Sequence, residues 1–563
     1  MGGLARSDAR RSEATGAATV RATTGARWRW RFLVALLAAA LLGAACGDDD
    51  SDGAAPDSSD NDDGEGGAAD GGDDGECTED RVGGELTFGA FSMTTGFDPT
   101  LSTGSGTTGS IEMGAVYDML VRWNPETREF EPGLAESIEP NADLTQWTLT
   151  LREGVTFGNG DPVTAEAVRW NIARHQDPAN ASTMFVDLMA VTGMEVVDDR
   201  TLVFTLAEPW GTFPFVLGDV AGLIVNPAVV EQTGRDAFHV NPPVGAGAGP
   251  YVVERFAPGE EIVLQAKDDY WGGPVCIETI RVTDIPTAQA TLDALELGEI
   301  DLMMERDPEI IDQIRDGGFE HFSELNAIGG MVMINDGLND PETADVRIRQ
   351  AIAAAVDPAV IDERVNGGVG QPTSCVMPPE SPVAPDAACP DYDPDRAREL
   401  VEEATAAGWD GTLELLTSDT DPEAAITLEG LLEAVGVQVD VEVLPITDLI
   451  QRMYITGNYT AGTSGTSMHD ASPVVSLNRW WGPTNFYTGY SNAEFTTALQ
   501  EVRAADTDDE LRDALADVQE IWTKTVPAVV YSATEQVVAW TDRVHGLVQT
   551  HSGVVLFSGA YVD

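Results

Sequence analysis

The sequence predicts an α/β protein with more than one hydrophobic core. Three runs rich in apolar and β-branched residues read as strands, at 202–206, 262–265 and 437–444. Helical periodicity alternates with them: Ala288, Leu292 and Leu295 share one helical face, after Thr287 as N-cap and before Gly298 as the stop signal. The chain has 563 residues, of which 43% are hydrophobic, too many for a single core.

The first 45 residues predict a signal peptide. Residues 32–42 form an unbroken apolar run, with Arg27, Arg29 and Arg31 just upstream. A run of this length is too short to span a bilayer, which takes about 20 residues. A basic segment, a short apolar run and small residues after it are typical of a cleaved export signal.

Residues 43–46, Gly-Ala-Ala-Cys, resemble a lipobox, in which the cysteine is acylated and becomes the mature N-terminus. This predicts lipidation at Cys46; the alternative is ordinary signal cleavage that leaves a stray thiol. Residues 46–80 then form an acidic tether: fifteen Asp and Glu lie between Gly47 and Asp80, with no Lys or Arg. Such a segment buries too little apolar surface to offset its ordering entropy, so we expect it to be disordered and extended.

The formal net charge is -64. Binding to nucleic acid or anionic lipid needs clustered Lys and Arg, and the sequence holds no such cluster, so neither is expected as a partner. The acidity admits two interpretations: steering of cationic ligands, or solubility in a saline medium.

No motif for catalysis or for a metal is found in the sequence. The six histidines form no HExxH and no close pair suited to zinc, and G-x-S-x-G is absent. The glycine-rich run 245–249 lacks the P-loop lysine and is followed by Pro250, so we interpret it as a turn before a strand. We therefore expect no enzyme, no cofactor and no metal; a secreted hydrolase is the alternative from another functional class.

Seven ordered motif blocks cover residues 83–563. They are 84–87 with 98–99; 117–118, 131–137, 151–157 and 161–165; 249–251, 257–260 and 269–273; 298–301; 346–351 with 357; 392–394; and 490–492 with 495. In content and order these blocks resemble the family 5 extracellular solute-binding proteins, the receptors of peptide and nickel ABC importers.

The resemblance implies a two-lobed fold of the periplasmic-binding-protein type (class II) with an extra subdomain, closing by a hinge around its ligand. The implied boundaries are lobe I at 83–117, the extra subdomain at 118–220, lobe I again at 221–332, lobe II at 333–535 and a return to lobe I at 536–563.

The implied function is extracytoplasmic capture of a di- or oligopeptide and its delivery to ABC permease and ATPase subunits. The receptor is expected to be a monomer, held by its lipid on the outer face of the cytoplasmic membrane. Another small polar solute, such as a glycoside, an opine or a metal chelate, is the alternative ligand. A third alternative is an acidic surface scaffold, which would have no interlobe pocket and no ligand-induced stabilisation.

Two polar segments are candidate ligand contacts. The first is Ser92, Met93, Thr94 and Thr95, after the first strand; its other interpretation is a simple turn. The second lies within residues 463–473 and includes Thr466, Ser467, Met468, His469 and Asp470.

In peptide-binding relatives the second segment carries a Trp and then an Asp that holds the peptide's amino terminus. Here Thr466 takes the tryptophan position and His469 the aspartate position, with Asp470 one residue later. Either Asp470 meets an ammonium group through a one-residue shift, or the ligand is not recognised by a free amine. Trp480 and Trp481 could form an aromatic wall or could simply be packing.

Four cysteines besides Cys46 suit an oxidising exterior. Cys375 and Cys389 enclose a Pro-rich segment, where a disulfide would add about 3 kcal/mol by the chain-entropy model. By elimination Cys77 pairs with Cys276, and the alternative for both pairs is buried free thiols.

Overall fold

The computed structural model describes residues 77–102, 104–339, 341–420 and 422–563. The predicted signal peptide, Cys46 and nearly all of the acidic tether lie outside these residues. Within them, no helix is both long enough and apolar enough to cross a membrane.

The structure is mixed α/β, as predicted. The strands are β1 (Glu85–Ala90), β2 (Val121–Asn124), β3 (Glu129–Pro132), β4 (Ala135–Pro140), β5 (Gln146–Leu151), β6 (Val191–Val196), β7 (Thr201–Leu206), β8 (Tyr251–Ala257), β9 (Glu261–Ala266), β10 (Thr279–Asp284), β11 (Leu302–Glu305), β12 (Glu320–Ile334), β13 (Thr412–Ser418), β14 (Gln438–Leu444), β15 (Ala461–Ser464), β16 (Ala528–Trp540), β17 (Val544–His545), β18 (Val548–Gln549), β19 (Val555–Leu556) and β20 (Tyr561–Val562). Three of them, β7, β9 and β14, coincide with the three predicted strands.

The α-helices are α1 (Ser110–Tyr117), α2 (Ala165–Gln176), α3 (Phe185–Leu188), α4 (Pro214–Leu217), α5 (Pro227–Thr233), α6 (Arg235–Val240), α7 (Ala288–Glu296), α8 (Pro308–Gly317), α9 (Val346–Ala355), α10 (Pro358–Val365), α11 (Pro394–Ala406), α12 (Glu423–Glu433), α13 (Ile446–Ile450), α14 (Pro473–Trp481), α15 (Ala493–Ala504) and α16 (Asp508–Thr525). A π-helical turn follows α13 at Gln451–Thr456, and 3-10 turns lie at Glu79–Arg81, Pro99–Leu101, Gly106–Thr108, Pro178–Asn180, Val220–Gly222 and Glu342–Ala344. Helix α7 begins as predicted, because the Thr287 side chain accepts a hydrogen bond from the Ala290 N–H at 3.2 Å.

One ten-stranded sheet runs through both lobes, in the order β14-β13-β15-β12-β16-β11-β1-β10-β9-β8. Lobe I contains β11, β1, β10, β9 and β8, and lobe II contains β14, β13 and β15. The two long antiparallel strands β12 and β16 belong to both, since β16 pairs with β11 in lobe I while the far end of β12 pairs with β15 in lobe II. The chain therefore crosses between the lobes along these two strands.

The β12–β16 ladder is interrupted midway. Its register shifts between Asn326 and Gly330, and Ile328 adopts a left-handed φ of 55°. A Cβ on Gly329 would lie 1.9 Å from the Thr534 hydroxyl, so only glycine allows this approach of the two strands. An irregularity of this kind bends a strand locally and gives the two lobes a natural hinge.

A separate four-stranded sheet, β4-β5-β7-β6, with α2 packed on it, forms the extra subdomain. Lobe II has its own aliphatic core, to which α9, α11 and α12 contribute together with β13 and β14. The core of the four-stranded sheet is continuous with that of lobe I and with the aromatic residues of lobe II, while a third cluster lies around α7 and α8, so the chain has more than one hydrophobic core, as predicted.

Both predicted disulfides are present. Cys77 bonds to Cys276, with their Cα atoms 5.7 Å apart, and Cys375 bonds to Cys389, with Cα atoms 4.9 Å apart. The first fixes the beginning of the described chain to lobe I.

Candidate ligand site between the lobes

The segment after β15 runs beside the hinge. The Thr466 N–H donates to the Ile328 carbonyl at 2.8 Å, and Ala327 and Met468 exchange two backbone hydrogen bonds, at 3.0 and 3.1 Å. The irregular part of β12 therefore holds residues 466–468 by their backbone. This places His469, the next residue, at the boundary between the lobes.

His469 is bound by lobe I groups on both ring nitrogens. Its Nδ1 lies 2.8 Å from Glu324 Oε1, and its Nε2 lies 3.0 Å from Ser552 Oγ. Burial by itself would lower the pKa of His469, but the Glu324 carboxylate outweighs burial and raises this pKa. The same pairing lowers the pKa of Glu324 despite its burial, so the two side chains form an ion pair across the hinge.

A second histidine, His551, extends this set of hydrogen bonds, and the donor and acceptor of each bond can be assigned. Burial, together with the positive charge of His469, lowers the pKa of His551 to about 4, so this imidazole is neutral. Its Nε2 lies 2.9 Å from the Gly218 carbonyl, to which it must donate, and its Nδ1 lies 2.8 Å from Ser552 Oγ. The Ser552 hydroxyl therefore donates to His551 and accepts from His469, which leaves no free donor or acceptor on either ring.

Ion pairs join lobe II to the extra subdomain. Arg128, after β2, lies 2.6 Å from Asp470 and 2.5 Å from Asp508, at the start of α16. On α14, Arg479 lies 2.5 Å from Asp187 of α3. The protein's own side chains therefore connect lobe II to the extra subdomain.

Asp219 also faces this junction. It is half-buried, and the charges of His469 and Arg479 act on it, yet neither lies within 4.0 Å, and each is paired to another carboxylate. Burial raises the pKa of Asp219 to about 7. Sequence reasoning did not identify Asp219, Glu324, Ser552 or Arg128, since each lies in an ordinary polar context far along the chain from its partners.

The first candidate ligand segment, residues 92–95 after β1, makes local hydrogen bonds within its own turn. Thr94 is buried and its hydroxyl donates to the Gly96 carbonyl at 2.7 Å, which is turn geometry. Ser92 and Met93 are half-buried and Thr95 is exposed. Their contact with a ligand stays a prediction.

The two tryptophans lie in an aromatic core. Trp480 and Trp481 are 3% and 2% exposed. Trp480 lies 4.9 Å from the ring of Tyr487 and donates from Nε1 to the Thr466 hydroxyl at 3.0 Å. The ring of Trp481 lies 4.6 Å from that of Trp522. Neither indole offers an open face, and a ligand wall formed by them stays a prediction.

Metal binding finds no support in the described ranges, where no group of three His, Cys, Asp or Glu side chains is placed to hold an ion.

Comparisons with known proteins agree with this geometry. The family model for bacterial extracellular solute-binding proteins, family 5 (middle region), matches residues 129–488. The probable D,D-dipeptide-binding periplasmic protein DdpA of Escherichia coli (strain K12) is 25% identical over 406 residues, covering 69% of this chain and 77% of that protein. Heme-binding protein A of Haemophilus influenzae is 25% identical over 509 residues, covering 83% and 90%. Among solved structures, the periplasmic binding protein DppA of Helicobacter pylori in complex with the peptide STSA superposes with a TM-score of 0.70 at 22% identity, covering 86% of this chain and 99% of that one.

Proposed function

The chain belongs to the family 5 bacterial extracellular solute-binding proteins, and from this premise we propose that it captures a di- or oligopeptide and delivers it to the permease of an ABC importer. One observation carries the proposal: side chains far apart in sequence, from both lobes and the extra subdomain, meet beside two hinge strands. A binding cleft that closes around a solute requires such a junction.

Two similar proteins favour a peptide over other solutes. One relative is described as a probable D,D-dipeptide-binding protein, and one structural neighbour holds the peptide STSA. A heme-binding relative keeps a non-peptide ligand as the alternative to test.

The proposal extends to the place and form of the protein. Export by the signal at residues 1–45, lipid attachment at Cys46 and a monomeric receptor on the outer face of the cytoplasmic membrane follow from the sequence patterns. The lobe boundaries given above belong to the same proposal. Mass spectrometry of the purified protein would test the anchor: a diacylglycerol on an N-terminal Cys46 supports it, and an unmodified terminus contradicts it.

A thermal-shift screen tests the ligand class. Pools of dipeptides and tripeptides would be compared with sugars, amines and metal chelates. A ligand at 100 times its Kd stabilises the folded state by about 2.7 kcal/mol, which is easily detected. Stabilisation by peptides alone supports the proposal, whereas stabilisation by another class replaces the peptide with that solute.

A hydrolase is the second candidate, and one observation favours it. Ser552, His469 and Glu324 match a Ser-His-carboxylate arrangement in their distances, and Ser552 has a left-handed φ of 63°. The protonation pattern opposes it. A nucleophile needs a neutral imidazole that accepts its proton, but His469 carries the proton and donates to Ser552, whose own proton points to His551.

A fluorophosphonate probe separates the two candidates. We expect no labelling of the purified protein. Labelling that disappears in Ser552→Ala, with no loss of folding by circular dichroism, would establish the hydrolase.

A further inference from the structure

The junction between the lobes carries more negative than positive side chains. Its carboxylates are Asp187, Asp219, Glu324, Asp470 and Asp508, and its cations are Arg128, His469 and Arg479. Burying an unbalanced charge is costly, so a closed cleft with this composition favours a ligand that brings positive charge.

Four of the five carboxylates already pair with a cation of the protein. Arg128 forms ion pairs with both Asp470 and Asp508. His469 pairs with Glu324, and Arg479 pairs with Asp187. An ammonium group that approached Asp470 would have to compete with a guanidinium at 2.6 Å. The expectation that Asp470 reads the ligand therefore has a physical obstacle.

Asp219 is the exception. Among the residues that the structure describes, no Lys, Arg or His nitrogen lies within 4.0 Å of its carboxylate, although His469 and Arg479 are close enough to act on it electrostatically. Its Oδ1 accepts from the Val220 N–H at 2.6 Å. Its Oδ2 makes no hydrogen bond to any described residue, and the side chain is only half-buried.

The backbone around Asp219 holds this carboxylate in place. Gly104 of lobe I packs directly against it: a Cβ at that residue would lie 2.1 Å from Oδ1. Asp219 also begins the 3-10 turn Val220–Gly222, so its direction is fixed by the cap. The carboxylate is thus positioned before any ligand arrives, which lowers the entropic cost of binding.

We propose that Asp219 is the carboxylate that receives the amino-terminal ammonium of the bound peptide. The assignment rests on the proposed function and adds the residue that reads the ligand's charge. An ammonium placed at Oδ2 would form a charge-assisted hydrogen bond in a partly desolvated site, and it would reduce the negative excess of the junction without displacing Arg128 or His469.

Paired peptide pools test the assignment. The probes are a synthetic tripeptide pool without Lys, Arg or His, and the same pool acetylated at the amino terminus. Binding to the purified protein is measured by calorimetry and by thermal shift. We expect the free-amine pool to bind more tightly than the acetylated pool by on the order of 10- to 100-fold.

Asp219→Asn is the informative variant, because the amide oxygen still caps Val220 while the charge is lost. It should weaken binding of the free-amine pool by a similar factor and leave the acetylated pool nearly unchanged. Asp177→Asn is the matched control: Asp177 caps the exposed turn Pro178–Asn180 by accepting from the Ala179 N–H at 2.9 Å, away from the junction.

The two proposals fail differently. If the wild-type protein binds no peptide pool, the proposed function falls and the assignment falls with it. If the wild-type protein binds peptides but accepts the acetylated pool equally, or if Asp219→Asn binds the free-amine pool as the wild type does, the assignment alone is wrong. The wild-type comparison of the two pools decides the matter even if the variant folds poorly.

Discussion

The aromatic core of lobe II and the junction between the lobes are adjacent, but the first consists of packed aromatic rings and the second of charged side chains in ion pairs. In the core, Trp481, Trp480 and Trp522 are 1% to 3% exposed and pack ring against ring. At the junction, His469 and Arg128 contact carboxylates that belong to other units of the fold. The two regions are joined directly, since Trp480 donates to Thr466, close to His469.

The difference follows from what each region has to do. Burial of aromatic rings excludes water and stabilises lobe II whether the cleft is open or closed. In a largely buried ion pair the cost of removing both charges from water offsets much of their attraction, so each intact pair contributes little net free energy. A surface made from such pairs can separate and close again, which a receptor with a hinge requires.

The core should show the largest stability effect. Trp481→Ala removes a large buried side chain next to Trp522, and we expect the free energy of unfolding to fall by about 4 kcal/mol. Urea denaturation of the purified protein measures this. Tyr392→Ala is the control, because Tyr392 is 46% exposed and its loss should change stability by less than about 0.5 kcal/mol. A small effect at Trp481 would mean that this tryptophan is not part of a packed core and could serve the ligand.

The sequence could predict the α/β class, the disulfides and the positions of β7, β9 and β14, because those depend on local pattern and on cysteine count. It could not decide the role of Trp480 and Trp481, because a pair of adjacent tryptophans looks alike in a core and in a ligand wall. It also could not pair Arg128 with Asp470, since 342 residues separate them and acidic residues are abundant throughout. Contacts between distant segments depend on the fold, and the proposed role of Asp219 could be inferred only once the partners of the neighbouring carboxylates were known.

Two buried glutamates, Glu324 and Glu112, differ in whether a cation lies beside them. Glu324 has a cation, and its pKa is lowered; Glu112 on α1 is 1% exposed with both oxygens unpaired, and burial raises its pKa to about 7. The folded state thus binds the Glu112 proton more tightly than the unfolded state, whose pKa is near 4.5. Stability should fall as pH rises from about 4.5 to 7, by about 3 kcal/mol.

Glu112→Gln removes this titration. We expect the variant to lose less stability than the wild type between pH 5 and pH 8, with the two unfolding curves diverging as the pH rises. Glu129→Gln, at an exposed position on β3, controls for the loss of one carboxylate. Parallel curves for the wild type and Glu112→Gln would show that Glu112 has a polar partner in solution.

The junction should give the smallest effect. Here the folded state retains a proton because of a neighbouring negative charge, whereas at Glu112 it retains one because of burial. Burial lowers the pKa of His469, but Glu324 outweighs burial and raises this pKa, so the proton on His469 stabilises the folded protein. This contribution is fully present below the unfolded value of about 6.5 and is lost as pH rises through the higher folded value. We expect His469→Gln to be less stable than the wild type by about 1 kcal/mol at pH 6, and this difference should shrink at alkaline pH. Denaturation at several pH values measures this difference. His545→Gln is the control for the loss of an imidazole outside the junction, because His545 lies near the C-terminal Asp563.

A difference that stays constant with pH would mean that the contact between Glu324 and His469 does not depend on charge. The junction would then resemble the core more closely than its composition implies.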